Sequence, residues 1–343
     1  MLYNQKKIEK RTYHSLMKKM PFTRYKKCYE NINQNGFPNG VYIFAYHFIF
    51  DEKKMAEWEI SYKGGTSKNN IKSHIKLLLE QKFIPIKLSD VCLLSKEDIR
   101  QHKFFAITFD DGYSNVYKNT QEIFDKKKIV PALFINSKFL NGDVYYRVLS
   151  SIIKNRHDTD YLYLHFKKEF HDKTWSKNKE KFFSQIKEYY TYDKTSAVTE
   201  KCFYELYGSI KKIKCHLDLQ QLKTISKIGW EIGNHTFNHD TLSKISKENV
   251  YKTLDENINF LSRNNIKTIN WVAYPNGMSF DVNKNVKNYM DENTELNGLF
   301  CGGGINIFSS KLEWMRIPVG NQTRDQFINL LKMNAVKSLY SFA

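Results

Sequence analysis

Apolar residues in this chain fall into two alternating patterns, and the alternation sets the expected fold class. Short apolar runs read as buried strands: Val41-Tyr42-Ile43-Phe44-Ala45-Tyr46, Phe83-Ile84-Pro85-Ile86, Phe104-Phe105-Ala106-Ile107 and Val130-Pro131-Ala132-Leu133-Phe134-Ile135. Trp230-Glu231-Ile232-Gly233-Asn234, Ile269-Asn270-Trp271-Val272-Ala273, Gly298-Leu299-Phe300-Cys301 and Trp314-Met315-Arg316-Ile317-Pro318 follow later. Between them apolar residues keep helical spacing. Ile71, Ile75, Leu78 and Leu79 share one face, as do Val116, Ile123 and Phe124 within 114–127, and Val250, Leu254, Ile258 and Leu261 within 247–264. Residues 219–228 read as a helix closed by Gly229, and 325–332 as a C-terminal helix. Strand and helix in turn are the signature of βαβ units around a parallel sheet or barrel, so the expected class is α/β.

The rhythm breaks twice. Residues 1–38 read as a basic, helical N-terminal arm, closed by the turn-rich Asn33-Gln34-Asn35-Gly36-Phe37-Pro38-Asn39-Gly40. Residues 144–214 are rich in Lys, Tyr and Phe and carry amphipathic helical patterns without a clear strand. They read as a helical insertion interrupting a domain that spans 39–343. Its aromatics either form a small satellite core or line a sugar or lipid groove. His157, His165 and His171 lack paired ligand spacing and read as surface residues, and His74, beside an apolar stripe, as structural.

Composition narrows the class. With 343 residues, 41% hydrophobic and 15% aromatic, the chain can bury a sizeable core and is not disordered. No apolar run approaches the ~20 residues of a membrane-spanning helix. The N-terminus lacks the apolar middle of a secretory signal, so a cytoplasmic location is expected. The net charge of +18 reflects either Lys filling solvated faces or attraction to an anionic surface. Lys6, Lys7, Lys10, Arg11, Lys18, Lys19, Arg24, Lys26 and Lys27 fit contact with an anionic membrane surface. No nucleic-acid motif accompanies them, and no nucleic-acid partner is expected. Cys28, Cys92, Cys202, Cys215 and Cys301 are scattered and odd in number, which argues for free thiols rather than a disulfide framework or zinc knuckle.

Candidate chemistry sits in two stretches. Thr108-Phe109-Asp110-Asp111-Gly112 follows an apolar strand. Two carboxylates at a buried strand end are costly without partners, so they point to a metal, a catalytic base or both, or else to a helix N-cap. In His235-Thr236-Phe237-Asn238-His239 the two histidines are four apart, which on a helical turn puts both imidazoles on one side. The metalloprotease motif needs Glu directly after the first His, and Thr236 stands there. Asp111 is the natural third ligand, because in α/β folds functional residues gather at the C-terminal ends of strands. One Asp and two His leave positions open for water and substrate, and Asp110 is then free to take a proton from the attacking water. Gly302-Gly303-Gly304 lacks the Lys-Ser/Thr of a phosphate loop and reads as a turn.

The TFDDG stretch at 108–112 and HTFNH at 235–239, in that order, resemble the first two motifs of the polysaccharide deacetylases, carbohydrate esterase family 4. AYPNG at 273–277 resembles the third, a Pro-aromatic-Gly strand end. The resemblance covers roughly 40–142 and 215–320. It implies a distorted (β/α) barrel of about seven strands and a divalent metal, zinc first and cobalt, nickel or iron as alternatives, held by Asp111, His235 and His239. It implies Asp110 as general base and removal of an acetyl group from a sugar, so the expected partner is a carbohydrate substrate.

Three departures stand out. Ala273 occupies the position where many members carry an Arg that orients the base, and Arg316 is the candidate replacement. Asn276 replaces the aromatic after Pro275, although its backbone N–H can still serve an oxyanion. The late Leu-x-His that usually supplies the acid is absent; Tyr46-His47 resembles the early Tyr-His of poly-N-acetylglucosamine deacetylases, which makes His47 the candidate acid. The expected enzyme is a metal-dependent hydrolase of an N-acetylated sugar in a surface polysaccharide or its precursor. The alternatives are a deformylase or deacetylase of a nucleotide- or lipid-linked sugar, and a non-catalytic glycan-binding protein on the same fold. A two-carboxylate glycosidase would not need the histidines.

Overall fold

In a computed structural model, which describes residues 22–170, 186, 191–307 and 314–341, the alternating pattern closes on itself. Seven parallel strands form a barrel: β1 (Gly40–Tyr46), β2 (Lys103–Phe109), β3 (Ala132–Ile135), β4 (Glu231–Asn234), β5 (Trp271–Ala273), β6 (Asn297–Phe300) and β7 (Trp314–Pro318). From β2 to β7 neighbours follow chain order. β7 then pairs with β1, Ile43 opposite Arg316, and β1 pairs with β2 from Gly40 opposite Lys103 to Tyr46 opposite Phe109. Between β4 and β5 the register shrinks to Asn234 opposite Val272, so the barrel is distorted. The short strand Ile84–Pro85 flanks β2 below β3.

The two-residue period of a strand sorts side chains to opposite faces. Val41, Ile43, Phe104, Ala106, Ala132, Phe134, Trp271, Ala273, Leu299 and Trp314 fill the interior as one cluster. Tyr42, Phe44, Phe105, Ile107, Phe109, Leu133 and Ile135 face outward under the helices, against Ile71, Ile75, Leu78, Phe124 and Leu222 among others. Both faces are covered, which is why these strands read as unbroken apolar runs.

Two expectations change. The C-terminal helix runs Arg324–Ser341, well past Lys332. Past Lys332 the polar Asn334 and Ser338 are buried: Asn334 Oδ1 accepts from Gly304 N at 2.7 Å and Ser338 Oγ from Ile305 N at 2.6 Å, tying the helix to the glycine turn. The insertion is helical at Tyr146–Asn155, Thr159–Phe170 and Tyr192–Tyr207, and among the described residues its buried aromatics do not form a satellite core. Tyr145, Tyr146, Phe166, Tyr192 and Phe203 belong to the same cluster as the barrel's outer layer. His157 is exposed and His165 bonds Glu205 Oε2 at 2.7 Å; His171 lies outside the described residues. Of the basic arm, residues 1–21 also lie outside them; the helix Phe22–Asn35 packs on the C-terminal helix, with Ile32 buried. Among the described residues no helix is long and apolar enough to cross a membrane.

His74 is wholly buried and stacks on Phe327, ring centroids 4.0 Å apart. Its Nε2–H donates to Gln322 O at 2.7 Å, and its Nδ1 lies 3.2 Å from the Tyr46 hydroxyl, which can donate to it, so the neutral ring has both nitrogens satisfied. Burial pushes its pKa down to about 4, against the backbone carbonyl, which raises it. Below the ordinary histidine value the unfolded chain binds a proton that the folded chain refuses, so stability falls as pH drops from about 6.5 to about 4. This one group contributes a slope of about 1.4 kcal/mol per pH unit in that window. Urea unfolding at several pH values should show that slope reduced in His74→Gln; an unchanged slope would contradict a neutral buried His74.

Candidate metal centre

The barrel interior leads directly to the site. Alternation along β2 points Ala106, Thr108 and then Asp110 inward. The Asp110 amide still donates to Tyr46 O at 3.0 Å, so this carboxylate extends the strand. At Asp111 the backbone turns left-handed, φ 68°, followed by Gly112 at 67°; the turn therefore begins one residue before the glycine. Asp tolerates this region better than most residues. Both carboxylates are buried, at 3% and 2% exposed, so each requires a partner.

The second stretch follows β4. Residues 235–239 are not a helical turn, contrary to the reading of their spacing: Thr236 and His239 both have positive φ, at 67° and 64°. A loop brings the imidazoles together, and buried amides hold it. Asn234 Oδ1 accepts from Thr236 N and from Asn257 Nδ2, each at 2.8 Å, while Asn136 Nδ2 donates to the carbonyls of His235 and Thr236. Thr236 Oγ1 accepts from His239 N at 3.1 Å.

Asp111 Oδ1 lies 3.4 Å from His235 Nε2 and 3.4 Å from His239 Nε2. It is buried and makes no hydrogen bond, an atom that three convergent donors leave for an ion. Donors about 2.1 Å from a tetrahedral ion stand about 3.4 Å from one another, the spacing seen here. Each imidazole is set from behind: His235 Nδ1–H donates to Ala273 O at 2.7 Å, and His239 Nδ1 contacts the Tyr145 hydroxyl at 3.2 Å. Such outer contacts select the tautomer that leaves Nε2 free to ligate. Burial lowers the His239 pKa to about 3, with His235 and Arg147 adding to the effect against Asp111. At His235 burial also lowers, but Asp110 and Asp111 outweigh it and the pKa rises. Burial raises the Asp111 carboxyl, yet its histidine neighbours hold it well below the carboxylate range. Asp111, His235 and His239 form a divalent-metal site.

Asp110 faces the other way, to Arg316. That side chain is 1% exposed, in the interior layer of β7. Its Nη1 donates to Asp110 Oδ1 at 2.6 Å and its Nη2 to Oδ2 at 2.9 Å, with a further bond from Nη1 to Thr108 Oγ1 at 3.2 Å. Burial alone would raise the Asp110 pKa; Arg316, His235 and His47 together bring it below the ordinary value. Ala273 projects into the same interior, so a small residue on β5 leaves room for the guanidinium arriving from β7. His47 follows β1, is half-buried, and its charge bears on both carboxylates. Asn276 lies in a left-handed turn, φ 62°; its Nδ2 donates to Thr241 Oγ1 at 2.9 Å and its Oδ1 accepts from Arg147 Nη2 at 3.2 Å.

Three neighbours carried no signal in the sequence. Tyr145, from the insertion, touches a metal ligand. His216 donates from Nδ1 to Asp111 O at 3.0 Å and accepts at Nε2 from Tyr145 N at 3.4 Å. It lies stacked on Tyr113 and Phe139, and burial lowers its pKa to about 4. Arg147 stands beside both Tyr145 and Asn276. None has a spacing that relates it to either motif.

A polysaccharide deacetylase family model matches residues 98–294. That span holds Asp110, Asp111, His235, His239 and Asn276 and leaves out His47 and Arg316. No curated protein matches the sequence. Among solved structures, the Streptococcus pyogenes deacetylase PplD in complex with acetate is similar at TM-score 0.55 and 15% identity, covering 86% of this chain and 99% of its own. IcaB from Ammonifex degensii is similar at 0.52 and 11%, covering 86% and 98%. The BpsB deacetylase domain from Bordetella bronchiseptica is similar at 0.51 and 11%, covering 83% and 99%. At these identities the likeness speaks to the fold.

Proposed function

The chain belongs to the polysaccharide deacetylase family, and on that premise we propose that it removes an N-acetyl group from a sugar of a surface polysaccharide or its precursor. It is a metal-dependent amide hydrolase acting on an acetylated sugar. The observation that carries this is the unbonded, buried Asp111 Oδ1 facing two imidazole nitrogens, next to a second carboxylate locked by arginine. Zinc suits a set of two imidazoles and one carboxylate, and cobalt, nickel or iron share that preference.

A divalent ion held there supplies Lewis acidity to a carbonyl and lowers the pKa of water. The rest falls to the chain's own groups. Asp110, ionised because Arg316 offsets its burial, accepts the proton that the attacking water gives up. Arg316 fixes both Asp110 oxygens and so aims the carboxylate; it is a positioning residue. The Asn276 N–H serves the developing oxyanion, and His47, at the end of β1, hands a proton to the leaving amine.

Acetate release should be measured over free, nucleotide-linked and polymeric N-acetyl sugars with added divalent metals. Release from at least one class, abolished by chelation and restored by metal, is expected. His235→Ala should lose bound metal by elemental analysis along with turnover. Full activity in a metal-stripped sample would sink the mechanism.

A further inference from the structure

Among the described residues, no carboxylate pairs with the Arg147 guanidinium near the centre. Asp111 is committed to the metal and Asp110 to Arg316. Among the described residues the guanidinium meets only neutral groups: Nε donates to the Tyr146 hydroxyl at 3.4 Å, Nη2 to Asn276 Oδ1 at 3.2 Å, and the group lies 5.8 Å from the centre of the Tyr145 ring. It is half-buried, and its charge bears on the ligand His239. A guanidinium partly withdrawn from water, close to a site that also takes a divalent cation, is electrostatically unfavourable unless something anionic joins it.

The space for that group is present. Arg147 lines a cavity of about 330 Å³ where the insertion helices meet Tyr62. Among the described residues its wall carries Ser150, Ser151, Thr195, Thr199 and Lys154, and no acidic residue. Ser150, Thr195 and Thr199 donate their hydroxyl hydrogens to carbonyls of their own helices, so the fork of guanidinium donors is what matches a planar carboxylate or two oxygens of a tetrahedral phosphate. Through Asn276, Arg147 connects this cavity to the turn after β5.

We propose that this cavity is a subsite for an anionic group, a carboxylate or phosphate, on the acetylated glycan, with Arg147 as the residue that selects acidic over neutral substrates. This rests on the deacetylase reading for the identity of the substrate. The binding itself is independent of turnover.

The test uses the full, metal-loaded chain in an Asp110→Asn background, where substrate is held without being consumed. Tyrosine fluorescence would follow binding of three probes: a neutral N-acetylglucosamine oligomer, an oligomer alternating N-acetylglucosamine with glucuronate, and UDP-N-acetylglucosamine. At least one acidic probe should bind about tenfold or more tightly than the neutral one. That gap should close in Arg147→Met, persist in part in Arg147→Lys, and shrink with added salt. Preference for the glucuronate oligomer assigns a carboxylate, and preference for the nucleotide sugar a phosphate. Equal binding of acidic and neutral probes overturns the proposal, as does no binding of either acidic probe. An Arg147→Met that weakens all probes by one factor also overturns it, leaving Arg147 as support for Asn276. If the chain with Asp110 intact releases acetate from no probe while the Arg147-dependent gap remains, the deacetylase reading fails and the subsite stands.

Discussion

Replacing Asp110 with Asn is expected to lower kcat for acetate release by about a thousandfold while bound metal stays at the wild-type level. A positioned general base contributes about 10²–10⁴-fold, and an amide of the same shape cannot take a proton. Metal is retained because Asp110 is not among the three converging donors, and its oxygens are both occupied by Arg316. The substitution leaves Arg316 buried with one acceptor fewer, so some loss of stability accompanies it. Circular dichroism and metal content on the same preparation separate the two effects. A variant that folds, holds metal and retains more than a tenth of the activity would remove Asp110 from its role as base.

Arg316→Met should act on stability and on pH dependence together. Removing one member of a buried ion pair costs about 3–5 kcal/mol, because the remaining charge is left without compensation. Here that charge is Asp110, whose burial favours the neutral acid and whose lowered pKa depends first on Arg316 among its partners. Without the guanidinium its pKa rises. A base works only when deprotonated, so the acid limb of kcat/KM moves to higher pH, and activity lost near neutrality is recovered in part at alkaline pH. Pairing Arg316→Met with Asp110→Asn should regain much of the lost stability, since no unpaired charge remains. Denaturant unfolding of the single and double variants, with pH–rate profiles, reads both effects. An Arg316→Met profile unshifted from wild type would leave Arg316 a structural role only. Arg316→Lys keeps the charge but not the two-pronged geometry, and should fall between.

Much of the fold could be read from residue order. Strands buried on both faces leave unbroken apolar runs, and helices between them leave a 3.6-residue stripe, so β1 to β7 and most helices lie where their patterns put them. The misreadings have one cause. The C-terminal helix reads as 325–332 in the sequence, yet it continues to Ser341, with Asn334 and Ser338 buried as acceptors for the glycine turn. Tyr145 and Tyr146 lie in the segment read as an insertion, whose aromatics fit either a satellite core or a groove, and they join the main core, Tyr145 reaching the centre. In both cases a contact between segments far apart in the chain decides burial, and no local pattern records it.

The sequence by itself determined the donors: an Asp-Asp pair at a strand end and two histidines after another strand, in types and order that match a metal-dependent hydrolase. The tertiary structure decided how they divide. Their four-residue spacing suggested a helical turn, but left-handed residues in a loop pinned by Asn234, Asn257 and Asn136 bring the imidazoles together. That Asp111 rather than Asp110 faces them follows from a turn beginning at Asp111, where strand alternation ends. Arg316 meets Asp110 because closing the barrel sets β7 against β1, beside β2, a neighbourhood spanning some two hundred residues of chain. Chemistry resides in residue types, which a sequence states directly. Partnership between buried charges depends on which strands close the barrel, and only the folded chain brings those together.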